Sequence, residues 1–72
     1  MQTNNSGQKE LTLRENEVLQ LIVDGLTDQQ IASQLSVTKH TANAHRKKLL
    51  DKLEVNNVAS MVREAFRKGI VK

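Results

Sequence analysis

Apolar residues recur at three- and four-residue spacing along most of the chain, and residues that favour helix ends divide them into four segments. The apolar residues that share one side of a helix in the first segment are Val18, Leu21 and Ile22. Thr12 and Glu15 have the spacing of a capping box, in which each side chain accepts a hydrogen bond from the other's backbone N–H. Gly25 supplies a left-handed stop. The first segment therefore predicts a helix over about 13–24.

The second segment repeats these signals over a shorter length. Thr27 and Gln30 have capping-box spacing. The apolar stripe consists of Ile31, Ala32 and Leu35. These residues predict a helix over about 28–35, and the tight Ser36–Val37 connection then leads to Thr38, a favourable N-cap. A short helix, a turn of about three residues and a further helix together indicate a helix-turn-helix arrangement.

The third segment predicts a helix from Lys39 to about Leu53 with two chemically different sides. At about 100° per residue, the inner side consists of Ala42, His45, Leu49 and Leu53. The outer side consists of His40, Asn43, Ala44, Lys47 and Asp51. We expect the inner side to pack in the core, with His45 as a partly buried, hydrogen-bonded structural residue.

The fourth segment predicts a helix over about 58–68, capped by Asn57 and ended by Gly69. One apolar arc contains Val58, Met61 and Ala65, and an adjacent arc contains Ala59, Val62, Arg63 and Phe66. An apolar surface wider than one packing stripe leaves area for a partner. Ile70 and Val71 are expected to fold back onto the helix, and residues 1–10 are polar and are interpreted as a disordered leader or linker.

The composition agrees with a small all-α domain and excludes several classes of protein. The chain has 72 residues, no Pro and three Gly, and its lack of Cys excludes disulfides and thiolate metal sites. His40 and His45 lie about 140° apart on one helix, so they cannot share a metal ion. No apolar window of membrane-spanning length is present. A chain with this inventory predicts no cofactor, no metal site and no enzymatic activity.

The charge is distributed unevenly. Residues 10–35 carry five acidic groups and one basic group, a net charge of −4, whereas residues 36–53 carry five basic groups and one acidic group, a net charge of +4. Such asymmetry favours a polyanionic partner, either nucleic acid or an anionic membrane. The alternative interpretation is an ordinary solvated helix face. A membrane partner is the weaker of the two, because the third segment lacks Trp, Phe and a broad apolar face.

The outer side of the third helix has side chains that suit the major groove of duplex DNA. An Asn amide pairs with adenine, Lys donates to guanine acceptors and an Ala methyl packs on thymine, so the candidate base contacts are Asn43, Ala44 and Lys47. The flanking candidates for phosphate contacts are Thr38, Lys39, Thr41, Arg46 and Lys48. The competing explanation for Asn43 and Lys47 on this side is simple solvent exposure. The competing explanation for Ala44 is the high helix propensity of alanine.

Residues 11–71 resemble the DNA-binding domain of LuxR-type (NarL/FixJ-type) bacterial transcription regulators. The matching motifs are Leu11-Thr12-x-Arg14-Glu15, Val18-Leu19-x-Leu21-Ile22, Gly25-Leu26-Thr27, Ile31-Ala32-x-x-Leu35, Val37-Thr38, Thr41, His45-Arg46, Lys52-Leu53-x-Val55, Asn57, Ala59, Val62 and Gly69-Ile70-Val71. The resemblance implies a four-helix helix-turn-helix domain over residues 11–72. Its third helix would enter the major groove, with Asn43, Ala44 and Lys47 at positions of base contact, and its fourth would pair two protomers.

Further expectations follow from this resemblance. The dimer interface would contain Ala59, Val62, Arg63 and Phe66, and the dimer would be weak without DNA. The operator would be an inverted repeat with half-sites about 10 bp apart or a multiple of that. RNA polymerase is a further candidate partner, the location would be the bacterial cytoplasm at the nucleoid, and family members usually carry an upstream receiver or ligand-sensing domain.

Three residues depart from the family pattern. Leu13 replaces a frequent Pro at the start of the first helix, and Ala42 replaces a larger Val beneath the third helix. Glu54 replaces a common Gly after Leu53, so a positive φ there would strain the backbone.

Two other functions share these sequence features. The promoter-reading region of a sigma factor has similar first helices, although a well-formed fourth helix argues against it. A protein-interaction module would use the fourth helix as its main surface, with the third helix only solvating the fold.

Overall fold

A computed structural model describes residues 10–71, which form four helices and contain no strand. The helices are α1 (Leu13–Val23), α2 (Asp28–Leu35), α3 (Lys39–Lys52) and α4 (Val58–Arg67). All-α architecture and the predicted helix-turn-helix are confirmed, and every helix begins at the predicted residue. Three helices end one residue earlier than predicted, because Asp24, Leu53 and Lys68 serve as their C-caps. The predicted leader, apart from Glu10, lies outside the described residues.

Side-chain capping explains where each helix begins. Thr12 and Glu15 form the predicted capping box of α1, and Thr27 and Gln30 form that of α2. Thr38 caps α3, and Asn57 caps α4, in the manner that the sequence predicts. These caps satisfy backbone N–H groups that have no partner inside the helix.

All four helices end in the same hydrogen-bonded motif. A residue with positive φ follows each helix and donates its N–H to the carbonyl three residues earlier, and the next residue donates to the carbonyl five residues earlier. The residues with positive φ are Gly25, Ser36, Glu54 and Gly69. Each is followed by a half-buried apolar residue that packs on the core: Leu26, Val37, Val55 and Ile70. The φ of +58° at Glu54 confirms the positive φ considered from the sequence.

Helix α3 packs against each of the other three helices. The largest fully buried side chains of the core are Val18, Leu19, Ile31, Leu49 and Met61. Ala42 is 1% exposed and faces this core, as does Leu53. Val71 is also buried in this core and the half-buried Ile70 packs against it, so the chain turns back toward the core after α4. The opposite side of α3 is thereby directed away from the core.

Candidate nucleic-acid interface

The outward side of α3 is where the sequence places the base contacts. Ala44 and Lys47 are exposed, whereas Asn43 is half-buried. This arrangement follows from the burial of Ala42 and Leu49, which fixes the rotation of α3 about its axis. The structure therefore brings the three candidate base contacts onto one stretch of helix but gives Asn43 a different environment.

Asn43 and Arg46 converge on a single carboxylate oxygen of α2. The Nδ2 atom of Asn43 donates a hydrogen bond to Oδ2 of Asp28 at 3.1 Å, and Nη2 of Arg46 donates to the same oxygen at 2.6 Å. The Asp28 side chain is 12% exposed and that of Arg46 is 32% exposed. We call these three residues the Asp28 cluster. It joins the start of α2 to the middle of α3, and no local sequence signal marks Asp28 as its member.

The Asp28 carboxylate is held in its charged form. Burial raises its pKa, but the hydrogen bonds from Arg46 and Asn43, with the positive charges of Arg46 and Lys39, outweigh burial. The net pKa of Asp28 therefore lies below its ordinary value of 3.8. At neutral pH the cluster contains a fixed negative charge beside the proposed DNA-contacting surface.

The first turn of α3 contains two predicted phosphate contacts that bond to each other. The Thr38 hydroxyl accepts a hydrogen bond from the backbone N–H of Thr41 at 3.0 Å and donates to the Thr41 hydroxyl at 2.9 Å. Thr38 and Lys39 are exposed, Thr41 is half-buried, and Lys48 is exposed further along the helix. The candidate phosphate contacts therefore lie along the edges of the α3 surface, with Arg46 set back in the Asp28 cluster.

A second ion pair joins the end of α3 to the start of α1. Nζ of Lys52 donates to Oε1 of Glu15 at 2.7 Å and to the backbone carbonyl of Glu10 at 3.2 Å. Glu15 is only 4% exposed. Burial raises the pKa of Glu15, but the hydrogen bonds from Lys52 and from the Thr12 backbone outweigh it, so the pKa lies below 4.5. The sequence pattern predicts the capping role of Glu15 but not this contact with Lys52.

His45 is half-buried, as predicted for the inner side of α3. The predicted hydrogen bond to its ring is not among the hydrogen bonds of residues 10–71.

The predicted dimer surface on α4 is accessible. Ala59 and Arg63 are exposed, Val62 is half-buried and Phe66 retains 51% of its accessible surface. Met61 and Ala65, on the neighbouring arc, are fully buried. The two arcs of α4 thus have the different environments that their sequence spacing predicts.

Within the described part of the chain, no three His, Asp or Glu side chains are arranged to hold a metal ion. None of the helices between residues 10 and 71 combines the length and the apolar character needed to cross a bilayer.

Comparison with known proteins identifies relatives of one kind. Residues 9–65 match the family model for GerE, described as bacterial regulatory proteins of the luxR family. The chain is 38% identical over 65 residues to the uncharacterized response regulatory protein YgeK of Escherichia coli, covering 90% of this chain and 44% of that protein. It is 43% identical over 65 residues to the transcriptional regulatory protein MctR of Rhizobium johnstonii, covering 90% of this chain and 30% of that protein. The chain thus spans less than half the length of either relative.

Solved structures show the same fold. The structure of the transcription factor GerE superimposes with a TM-score of 0.81 at 31% identity, over 86% of this chain and 92% of that one. The VqmA–ligand–DNA complex of Vibrio cholera gives a TM-score of 0.81 at 27% identity, over 97% of this chain and 31% of that one.

Proposed function

Because the chain belongs to the LuxR family of bacterial regulatory proteins, which are DNA-binding transcription regulators and not enzymes, we propose how its helices perform that function. Residues 11–72 form the DNA-binding domain, which binds a specific duplex sequence as a dimer. Helix α3 enters the major groove and α4 pairs the protomers. The observation that carries this proposal is the exposed Ala44 and Lys47 surface of α3, directly opposite its buried Ala42 and Leu49.

The base contacts proposed for α3 differ in chemistry. Lys47 donates to the acceptors of guanine, and the Ala44 methyl packs on a thymine methyl. Asn43 presents its amide to adenine from the edge of the α2–α3 contact. Only three or four side chains of a helix reach base edges, so this set is of the expected size.

The phosphate contacts proposed for the edges of α3 fix its register on the duplex. They are Thr38, Lys39, Thr41, Arg46 and Lys48. Thr38 and Lys39 lie at the N-terminus of α3, where unpaired backbone N–H groups and the helix dipole also favour an anion. The exposed members of this set contribute affinity that is independent of sequence and sensitive to salt, whereas Arg46 is already hydrogen-bonded to Asp28.

Dimerisation is proposed to use the accessible arc of α4, which consists of Ala59, Val62, Arg63 and the exposed Phe66. One helix buries little area compared with stable interfaces of about 1,200–2,000 Å². We therefore expect pairing to be weak in solution and to be completed on an inverted-repeat operator with half-sites about 10 bp apart or a multiple of that. We also propose that the protein contacts RNA polymerase and is located at the bacterial nucleoid.

Selection of bound duplexes from a random library tests the proposal directly. An enriched inverted repeat is the expected result, and it would also give the spacing between protomers. Enrichment of no sequence, together with stable binding of a protein partner, would instead support an interaction module. Binding of one copy to core RNA polymerase would support a sigma-factor region.

Neighbouring lysines provide a matched pair of variants for the enriched site. Lys47→Ala is expected to reduce affinity by about 1–3 kcal/mol and to relax preference at one base pair. Lys48→Ala is expected to weaken all sequences alike and to reduce the salt slope by about one unit. Fluorescence anisotropy over a salt series measures both effects. Unchanged affinity and base preference in Lys47→Ala would overturn the assignment of α3.

A further inference from the structure

Asp28 contacts two residues that are proposed to touch DNA, although Asp28 itself belongs to α2. Both Asn43 and Arg46 donate to its Oδ2 atom, at 3.1 and 2.6 Å. The carboxylate is 12% exposed, and it lines an open cleft of about 590 Å³ together with Arg46 and Lys39. The Asp28 cluster is therefore held in place by the contact between α2 and α3, and its charged side chains also face an open cleft.

The hydrogen bond to Asp28 determines which way the Asn43 amide points. A carboxylate only accepts hydrogen bonds, so the NH₂ end of the amide must face Asp28. One N–H of that group is used, which leaves the second N–H and the carbonyl oxygen. Those are the donor and the acceptor that a bidentate contact with adenine needs. Asp28 thus prevents the amide flip that would exchange donor and acceptor.

The same carboxylate changes what Arg46 contributes to DNA binding. Nonspecific affinity comes from the release of counterions when a cation neutralises a phosphate. Arg46 already has a negative charge 2.6 Å from Nη2, so its charge is largely balanced before DNA arrives. The charge of Lys39 also acts on Asp28, whereas no ion pair among residues 10–71 joins Asp28 to the exposed Lys47 or Lys48.

We propose that Asp28 is a positioning residue that sets DNA specificity: it orients the Asn43 amide for base reading and withholds the charge of Arg46 from the phosphates. This inference rests on the proposed function of α3. Its consequence is that Asp28 lowers affinity for nonspecific duplexes while raising the ratio of specific to nonspecific binding. A purely structural ion pair between α2 and α3 would do neither.

Two substitutions of Asp28 separate the two effects. Asp28→Ala removes the charge and the acceptor, so nonspecific affinity should rise about fivefold at 0.15 M salt and the salt slope should steepen by about 0.9. Discrimination at one base pair of the enriched site should fall about tenfold. Asp28→Asn removes the charge but keeps an acceptor oxygen, so it should steepen the slope equally and retain part of the discrimination.

Glu17→Ala is the matched control, because it removes one carboxylate from an exposed ion pair within α1, 3.6 Å from Arg14. It should change neither the slope nor the discrimination. An equal gain in nonspecific affinity in Glu17→Ala would show a general charge effect and overturn the inference.

A double-mutant cycle with Arg46→Gln measures a change in the salt slope that a purely structural role of Asp28 would not produce. In the wild-type background, Arg46→Gln should change the salt slope by much less than one unit, because Asp28 balances the charge. In the Asp28→Asn background it should flatten the slope by about 0.9. Equal changes in both backgrounds would overturn the inference.

The outcomes distinguish this inference from the function beneath it. Specific binding by the wild type, with unchanged slope and base preference in both Asp28 variants, overturns the role of Asp28 alone. If the wild type shows no sequence preference, the proposed function is overturned and the inference with it. If circular dichroism shows that Asp28→Ala and Asp28→Asn are unfolded, two other measurements test the inference. Asp28→Glu should keep the salt slope and lose base discrimination, and Arg46→Gln in the wild-type background should leave the salt slope nearly unchanged.

Discussion

Glu15 and Asp28 each lie in the first turn of a helix and each accept a hydrogen bond from a basic side chain of α3, but the second pair is the more accessible. The side chains of Glu15 and Lys52 are 5% and 22% exposed, whereas those of Asp28 and Arg46 are 12% and 32% exposed. Glu15 also accepts from the Thr12 backbone in a capping box. Asp28 instead accepts from a second candidate DNA contact, Asn43.

This difference shows that the partners of an ion pair decide its role. Glu15 connects Lys52 with the start of α1 at 2.7 Å through a buried carboxylate, so its loss mainly affects folding. Asp28 connects two side chains of the proposed interface, so its loss mainly affects binding. Exposed pairs contribute little to stability, whereas removing one partner of a buried pair is strongly destabilising.

The largest effect is expected from Glu15→Ala. It should lower the free energy of unfolding by about 3 kcal/mol, because it leaves Lys52 without its carboxylate and removes half of the α1 capping box. Asp28→Ala should lower it by only about 1 kcal/mol, because Arg46 remains accessible to water. Urea unfolding followed by circular dichroism measures both values. Equal losses in the two variants would contradict the contrast between these sites.

Acidification should produce a smaller loss, because a protonated carboxyl still fills its site. The pKa values of Glu15 and Asp28 lie below 4.5 and 3.8 in the folded protein. The unfolded chain therefore takes up protons first, and the stability from these groups is present above about pH 4.5 and is lost as the pH falls through the folded values. Urea unfolding from pH 7 to pH 3 measures this, and Glu15→Gln should flatten the profile. Stability that increased on acidification would refute the prediction.

The smallest effects are expected after the C-terminal ends of α2 and α3, where Ser36 and Glu54 both have a φ of +58°. Glu54→Gly should raise the free energy of unfolding by about 1 kcal/mol, since it relieves a left-handed side chain and removes a negative charge beside the helix C-terminus. Ser36→Gly relieves the strain alone and should give about 0.5 kcal/mol. Thermal melts of the two variants check the order. A lower melting temperature in Glu54→Gly would show that the Glu54 side chain stabilises the fold.

The helix boundaries could be predicted from the sequence because their signals are local. Each cap lies within a few residues of the group it satisfies, as for Thr12 and Glu15 or for Asn57 and Ser60. The rotation of α3 could also be predicted, because the apolar residues Ala42 and Leu49 specify which side faces the core.

The pairing of charges between helices could not be predicted in the same way. Lys52 and Glu15 are separated by 37 positions, and Arg46 and Asp28 by 18, so their contact depends on how whole helices pack. Helical spacing placed Asn43 on the outer side but contained no information about α2 beside it. The opposite charges of residues 10–35 and 36–53 indicated a polyanionic partner. However, two of these charge pairs, Arg46–Asp28 and Lys52–Glu15, are ion pairs within the protein itself.

The shared motif at the four helix ends also has a consequence for how the chain acquires its shape. Each boundary is closed by hydrogen bonds that span at most five residues, so the helix ends are defined by nearby interactions. Chains dominated by such nearby interactions fold within microseconds to milliseconds. A newly synthesised copy would therefore expose its apolar core residues to neighbouring molecules for only a brief interval, which limits aggregation during synthesis.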